Sequence, residues 1–327
     1  MKNSKLKWVG VLAALLLAGA CPNAPGQVVF EKTTPYHHIL VVDEGGVRTL
    51  HFDDGQETKI SLKNPLEGHF EYTEYFQMPW LWNTQIVSVL MIGLGGGSTQ
   101  RSFEHYHPEV TVDTVEIDPV VLQVATNYFT FKESPKQKVH VEDGRVFLRR
   151  SPAKYDLIIL DAYVQGRYGA CIPQHLATKE FFELVRDHLT TNGIAAYNVI
   201  GTLYGWQATI VGAIYRTLNT VFPQVYFFPA ETSQNVVLIA TRATAKANLS
   251  ALQQRAYFLE QNRQATLPTF RDRVRSFMAE APPSAARSPI LTDDFAPIEG
   301  LLDTGSGPVE SRRSGTNAPG GAGARAR

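Results

Sequence analysis

The 327-residue sequence predicts an α/β protein: a mostly parallel sheet covered by helices on both faces, preceded by a small antiparallel β unit. Three observations lead there. From Ser88 onward, short apolar runs alternate with amphipathic segments, as crossover connections of a parallel sheet require. The apolar run Val87–Ile92 ends in Gly93-Leu94-Gly95-Gly96-Gly97; a helical segment follows, and a second run closes on Glu116 and Asp118. Ahead of them, within Val28–Ile60, the runs VVFEK, HHILVVDE and VRTLHFDD are separated by Thr-Thr-Pro, Gly45-Gly46 and Asp54-Gly55. Asp-Gly is a strong tight-turn signal, so this stretch reads as hairpins.

In chain order, residues 1–21 read as a targeting segment. Lys2, Lys5 and Lys7 precede the uncharged, mostly apolar run Trp8–Ala20, which is too short for a comfortable membrane span. Ala18-Gly19-Ala20 is a small-residue cleavage site. Cys21 after it makes the segment resemble a lipoprotein signal, with Cys21 as the acylated residue, although Ala18 stands where such signals carry leucine. A plain secretory signal and a misassigned start are the alternatives. The reading is therefore export, to the periplasm or to a membrane through the lipid alone, with a cytoplasmic location if the start is wrong. Residues 28–75 form the expected small β domain, and Glu71–Trp82 reads as an aromatic-rich helix.

Residues 76–300 form the expected main domain. Its strands are placed at Val89–Gly93, Val110–Ile117, Lys138–Glu142, Tyr155–Asp161 and Gly193–Ile200. Helices are placed near Thr99–His105, Val120–Tyr128, Gly144–Arg149, Lys179–Leu189 and Tyr204–Phe222. Val225–Pro229 and Val236–Thr241 read as a closing antiparallel pair, and Leu249–Glu280 as helical. Residues 303–327, rich in Gly, Ser, Ala and Arg, have the composition of a disordered tail.

In an open parallel sheet, ligands bind beyond the carboxyl ends of the strands. The first such end carries the glycine turn, where Gly93, Gly95, Gly96 and Gly97 let backbone approach a ligand at a helix start. The next three carry Glu116 and Asp118, then Glu142-Asp143-Gly144, then Asp161. A strand-end carboxylate such as Glu116 suits ribose hydroxyls. A cleft this acidic favours a cationic nucleoside over a polyphosphate, and no lysine follows the glycines in P-loop spacing. An adenosyl sulfonium fits better than a nucleoside triphosphate, with NAD a lesser alternative. The chain has 31 Lys plus Arg and 31 Asp plus Glu, so charge gives no case for nucleic acid. No Cys/His cluster has zinc spacing, so no metal is expected.

Gln56, Tyr72-x-Glu74, Gly93-x-Gly95-Gly96-Gly97, Val115-Glu116-Ile117-Asp118-Pro119, Glu142-Asp143-Gly144, the run Tyr155–Asp161 and Leu291-Thr292-Asp293-Asp294 resemble, in order and spacing, the spermidine synthases, the polyamine aminopropyltransferases. The resemblance spans roughly Val28 to Ile298 and is nearest to a branch with incomplete catalytic motifs. It implies a Rossmann-like, class I methyltransferase-like domain behind a small antiparallel β domain. It also implies decarboxylated S-adenosylmethionine as donor and a polyamine as acceptor. By position, Glu116 would take the ribose, Asp143 the adenine amine with Gly144 beside it, and Asp161 the attacking nitrogen and sulfonium. Tyr72, Glu74 and Tyr163 would face the substrate, and residues 162–173 would form a lid.

The departures bear on the donor and the acceptor. The synthases carry an aspartate where this chain has Gly96, and a second one three places after the catalytic aspartate, where Val164 stands. Their Tyr-His-Glu is Tyr72-Thr73-Glu74, and a family glutamine is replaced by His37. The nucleoside half is thus better kept than the amine half. S-adenosylmethionine itself, with a small-molecule methyltransferase activity, is one alternative. An exported non-catalytic nucleoside-binding protein is another. The oligomeric state is open, a homodimer included. His37 and His38 alternate, so at most one faces the cleft, and Asp293 and Asp294 read as residues that cap the chain's return.

Overall fold

The computed structural model describes residues 26–205 and 207–302; the expected targeting segment with Cys21 and the tail 303–327 lie outside them. Four strands, β1 (Gln27–Thr33), β2 (His38–Glu44), β3 (Val47–Phe52) and β4 (Gly55–Ser61), pair antiparallel in sequence order. The fourth, beyond the turn at Asp53 and Asp54, goes past the three runs named from the sequence. The second sheet has seven strands: β5 (Ser88–Ile92), β6 (Thr111–Glu116), β7 (Gln137–Val141), β8 (Tyr155–Leu160), β11 (Leu189–Ile200), β12 (Gln224–Pro229) and β13 (Asn235–Thr241). Between β8 and β11, β9 (Val164–Gly166) and β10 (Gly169–Cys171) form a short separate hairpin.

The large sheet runs β12-β13-β11-β8-β5-β6-β7. Pairs among β7, β6, β5, β8 and β11 are parallel, while β13 is antiparallel to β11 and β12. This is the Rossmann-like architecture of the expectation, antiparallel closing pair included. Successive strands are added on one side of β5 as far as β7 and on its other side from β8, so a crevice opens at the strand ends between β5 and β8.

Alternate strand residues serve opposite faces. Leu90, Ile92, Ile158 and Leu160 belong to one core with Phe181 and Phe182 of α4 (Lys179–Asp187) and with Ile210 and Ile214 of α5 (Ala208–Asn219). Val89, Met91, Leu157 and Ile159 face the other side, where Tyr75, Phe76 and Trp80 of the 3-10 helix Glu71–Leu81 pack with Leu252 of α6 (Leu249–Gln261) and Phe270 of α7 (Phe270–Val274). The small sheet buries Ile39, Val41, Leu50 and Ile60 against Val121, Val124 and Phe129, at and just past α2 (Pro119–Tyr128). The remaining helices are α1 (Ser98–Tyr106), α3 (Gly144–Arg150) and α8 (Ile298–Leu302).

Three sequence expectations change. The helix expected at Tyr204–Phe222 starts at Ala208, because Gly205 and Gln207 have φ of +76° and +60°, outside the right-handed helical region. Leu189 opens β11 instead of closing α4. The helical stretch Leu249–Glu280 breaks between α6 and α7, where Arg263 has φ of +55° and Pro268 removes a donor.

The 3-10 helix is clamped from its polar side by Arg273. Its Nε donates to Glu74 Oε2 at 2.5 Å, and its Nη1 to Glu71 Oε1 at 3.1 Å. Glu71 also accepts from the backbone amides of Glu231 and Thr232. Burial opposes charge on Glu74, but hydrogen bonds from His69, Thr269 and Arg273 win and pull its carboxyl down to about 2. Such a depressed acid stabilises the fold above its unfolded value near 4.5, and the contribution is lost as pH falls through about 2. The expected outcome for Arg273→Met is a loss of about 3 kcal/mol in urea unfolding at pH 7, from carboxylates left buried without their cation. The stability difference between wild type and Glu74→Gln should shrink as pH is lowered from 5 to 2. An Arg273→Met protein as stable as wild type would show that the clamp contributes nothing.

Candidate functional site

The crevice between β5 and β8 opens into a cleft lined from both sheets. Its floor begins at Gly93, whose φ is +104° and where a Cβ would lie 2.1 Å from the Asp161 carbonyl oxygen. Only glycine fits there. Gly93, Leu94 and Gly95 line the cleft, but Gly96 and Gly97, expected beside them, do not. They are packing glycines: a Cβ at Gly96 would lie 2.6 Å from Thr58 Cγ2 and 2.9 Å from the Phe129 ring, and one at Gly97 would lie 3.0 Å from the Phe131 ring. The turn is pinned from behind. Gly96 N donates to Thr58 Oγ1 at 2.9 Å, and the buried Arg101 donates to the carbonyls of Gly96 and Phe129.

Glu116, at the end of β6, lines the cleft. Its Oε2 accepts from Leu94 N at 3.0 Å and its Oε1 from Asp118 N at 2.9 Å. Burial outweighs these bonds and pushes its carboxyl up to about 7. Each carboxylate oxygen has a second lone pair, so two further donors, such as vicinal hydroxyls, can still be accepted. Asp118 is a correction to the expected site: it is buried and absent from the lining. It caps α2 through Val120 N at 2.8 Å and accepts from Thr34 Oγ1 at 2.5 Å.

Asp143 and Gly144 line the cleft at the start of α3. Asp143 accepts from Val146 N at 2.9 Å and bonds His175 Nε2 at 2.7 Å. The His175 bond, chiefly, lowers its pKa below the ordinary aspartate range. Gly144 is required by space, since a Cβ would lie 2.5 Å from Ile92 Cγ2.

Asp161 follows β8 directly, and its amide donates to Ile92 O at 2.9 Å. Its carboxylate accepts from Asn198 Nδ2 at 2.9 Å and from the Tyr72 hydroxyl at 3.3 Å. Asn198 is oriented in turn by Asn235 Nδ2 at 3.0 Å. Burial dominates and raises the Asp161 carboxyl to about 6, against those two bonds. Tyr163 lines the same cleft and is held on both sides of its hydroxyl, donating to Asn198 O at 2.7 Å and accepting from Ile200 N at 3.0 Å.

The structure thus brings Tyr72, Tyr163 and Asp161 together with the glycine turn, Glu116, Asp143 and Gly144. Glu74 does not join them: it points to Arg273, Thr269 and His69, which makes it an anchor of the helix that carries Tyr72. Asp293 holds Arg145 at 2.8 and 2.6 Å and accepts from Thr178, a tie between loop and helix. Of the two histidines, His37 lines the cleft and stacks on Phe52 with ring centroids 4.2 Å apart, while His38 pairs outward with Glu31.

Residues unread from the sequence complete the cleft. Glu57 and Thr58 reach it from β4, and His175 from beyond the β9–β10 hairpin. A second cavity adjoins it, sharing Glu57, Phe70, Tyr72 and Tyr163 and adding Asn198, Ser233 and Asn235. Among the described residues, no three His, Cys, Asp or Glu side chains are grouped to hold a metal ion. A hydrogen-bonded carboxylate facing such a cleft can accept a proton from an amine held beside it.

Comparison with known proteins agrees with this geometry. Residues 69–251 match the spermine/spermidine synthase domain. A polyamine aminopropyltransferase of Vibrio vulnificus is 32% identical over 304 residues, which cover 88% of this chain and 96% of that protein. An eEF1A lysine and N-terminal methyltransferase of Xenopus laevis is 33% identical over 172 residues, 51% of this chain but 24% of that protein. Among solved structures, spermidine synthase from Thermotoga maritima superposes with a TM-score of 0.57 at 19% identity, covering 76% of this chain and 87% of that one, a likeness of fold. Human methyltransferase-like protein 13 in complex with SAH gives 0.51 at 26% identity, covering 60% of this chain and 91% of that one. With a domain match over more than half its length and a relative aligned along nearly all of it, the chain belongs to the spermine/spermidine synthase family.

Proposed function

We propose that the protein transfers an alkyl group from an S-adenosyl sulfonium donor to a small cationic amine, the nominal reaction being aminopropyl transfer from decarboxylated S-adenosylmethionine to a polyamine. The observation that carries this reading is Asp161. Its carboxylate is half-buried, oriented by Asn198 and Tyr72, raised to about 6, and faces the main cleft, while its two partners also line the adjoining cavity. An alkylammonium has a free pKa of about 10 and must lose a proton before its nitrogen can attack. In this reading Asp161 accepts that proton. The nitrogen lone pair forms a bond to the carbon next to sulfur, the carbon–sulfur bond breaks, and its electrons return to sulfur, leaving a neutral thioether. Glu116 holds the ribose hydroxyls, Asp143 faces the adenine amine, and Gly93–Gly95 allow the nucleoside to lie against backbone. The β9–β10 hairpin after Asp161 supplies the cover that keeps water out.

A second reading, methyl transfer from S-adenosylmethionine, is favoured by position 96. Gly96 offers no carboxylate to hold a donor ammonium, and Thr58 and Phe129 occupy the space where one would start. Export through residues 1–21 with acylation at Cys21 remains part of the proposal. Fractionation of cells expressing wild type and Cys21→Ser tests it, and a membrane-bound Cys21→Ser protein would rule out the lipid anchor.

Three outcomes are expected. Asp161→Asn should lower kcat by roughly 10²–10⁴-fold, the scale of lost base catalysis, while S-adenosylhomocysteine affinity measured by calorimetry stays close to wild type. Retained turnover would remove Asp161 from the mechanism. Because Asp161 must be ionised to accept a proton, kcat/KM should fall as pH drops through about 6, a limb absent from the residual activity of Asp161→Asn. Glu57 and Glu116, both raised to about 7, face the same cleft, so the limb is read from the difference between the two proteins. Titration with both donors should show tighter binding of decarboxylated S-adenosylmethionine; the reverse order would select the methyl-transfer reading.

A further inference from the structure

We propose that His175 is a positioning residue for nucleoside recognition: its imidazole fixes the plane of the Asp143 carboxylate, and the preference of the cleft for an amine over a carbonyl on the bound base depends on it. The proposal rests on the reading of the cleft as an adenosyl site and adds a residue that lies outside the sequence motifs. Both side chains line the cleft. His175 belongs to the single 3-10 turn Gln174–Leu176, between the β9–β10 hairpin and α4. Its Nε2 lies 2.7 Å from Asp143 Oδ2. An ionised carboxylate only accepts, so the imidazole N–H donates.

The grip on this histidine is double. Two residues after Asp143, Arg145 donates through Nη1 to the His175 carbonyl at 3.1 Å. The start of α3 thus holds His175 by its side chain from Asp143 and by its main chain from Arg145. Arg145 is itself buried and fixed by Asp293 at 2.8 and 2.6 Å, and Asp293 also accepts at 2.7 Å from Thr178, the N-cap of α4. Beyond His175, the Leu176 carbonyl accepts from the Tyr197 hydroxyl at 3.0 Å. The backbone that carries the imidazole is therefore tied down on both sides.

The second torsion of an aspartate is broad by itself. Here Val146 N fixes Oδ1 at 2.9 Å and His175 fixes Oδ2, so two bonds set the carboxylate plane. Donors approach carboxylate oxygens near that plane, which makes its orientation the selective element. The His175 bond, chiefly, also holds the Asp143 carboxyl below the ordinary aspartate range, so the acceptor stays charged. A charged acceptor strengthens the bond from an exocyclic amine and repels a carbonyl oxygen in its place. With the two side chains 46% and 25% exposed, the pair contributes little to folding, so its loss is read in the ligand and not in unfolding.

The test is calorimetric titration of the full-length protein with S-adenosylhomocysteine and with S-inosylhomocysteine, which carries a carbonyl where adenine carries its amine. Wild type should bind the adenosyl ligand about tenfold more tightly or better, the scale of one charge-assisted hydrogen bond. His175→Leu should weaken the adenosyl ligand about tenfold and leave the inosyl ligand within about twofold. His175→Gln, whose amide can donate from near the Nε2 position, should restore most of the preference. In Asp143→Ala the added His175→Leu change should alter neither affinity. Thermal midpoints equal to wild type show that the variants are folded. An adenosyl preference unchanged in His175→Leu, or an equal loss for both ligands, overturns the proposal, the second result meaning that His175 only shapes the turn. A wild type that binds neither ligand removes the adenosyl reading itself, and the proposal with it.

Discussion

The ends of β5 and β8 approach so closely that the chain between them has room for hydrogen and nothing larger. A Cβ at Gly93 would lie 2.1 Å from the Asp161 carbonyl oxygen, while the Asp161 amide reaches Ile92 O across the same gap. This contact sets two things at once. It starts the glycine turn at the strand end, so that backbone, with no side chain on it, faces the cleft. It also fixes the point at which β8 stops and the Asp161 side chain turns into the cleft. The nucleoside half and the acid that would receive a proton are therefore placed by one backbone contact, and cannot drift independently.

Around that contact the fold keeps carboxyl groups that water would hold more comfortably. Glu57, Glu116 and Asp161 all have raised pKa values, with burial as the leading cause in each. The difference between them lies in what the protein supplies. Backbone amides serve Glu116, and an asparagine relay with a tyrosine serves Asp161; Glu57 is served by nothing in the described chain. Buried polar groups are ordinarily satisfied from within. The three acids thus differ in how far the fold itself satisfies them.

The sheet was legible because alternation of apolar runs with helical segments is a long-range pattern, insensitive to errors of one or two residues. The acids at the ends of β6, β7 and β8 were legible for the same reason: a carboxylate closing an apolar run stands out in one dimension. Within that half, Asp118 was over-read, since a residue directly ahead of a Pro-led helix is equally well placed to cap it, and it does. Gly96 and Gly97 were over-read as ligand-facing when they serve packing against Thr58, Phe129 and Phe131. The rest of the cleft was mostly hidden. Glu57 belongs to a different sheet from Asp161, Asn198 lies inside an apolar strand, and His175 sits in a loop, so only tertiary folding brings them together. A charged residue just past a tight turn on a half-buried strand was the one available signal for Glu57. Glu74 shows the converse, a motif position whose side chain is turned to the far face of its helix by Arg273.

Position 96 links these two halves. In the family pattern an aspartate belongs there; in this chain the amide of Gly96 is bonded to Thr58 and the space above its Cα is filled by Thr58 and Phe129. Thr58 is the neighbour of Glu57 on β4, so the strand that closes off the glycine turn also brings an acid to the cleft. A side chain at position 96 would meet the Thr58 γ-methyl and the Phe129 ring, so Thr58 bears both on the glycine turn and on the strand that carries Glu57. The glycine turn and one of the cleft's acids are thus tied to a single strand of the small sheet. The N-terminal sheet is then part of the cleft, because Glu57 and Thr58 line it from β4 and Thr58 holds the glycine turn.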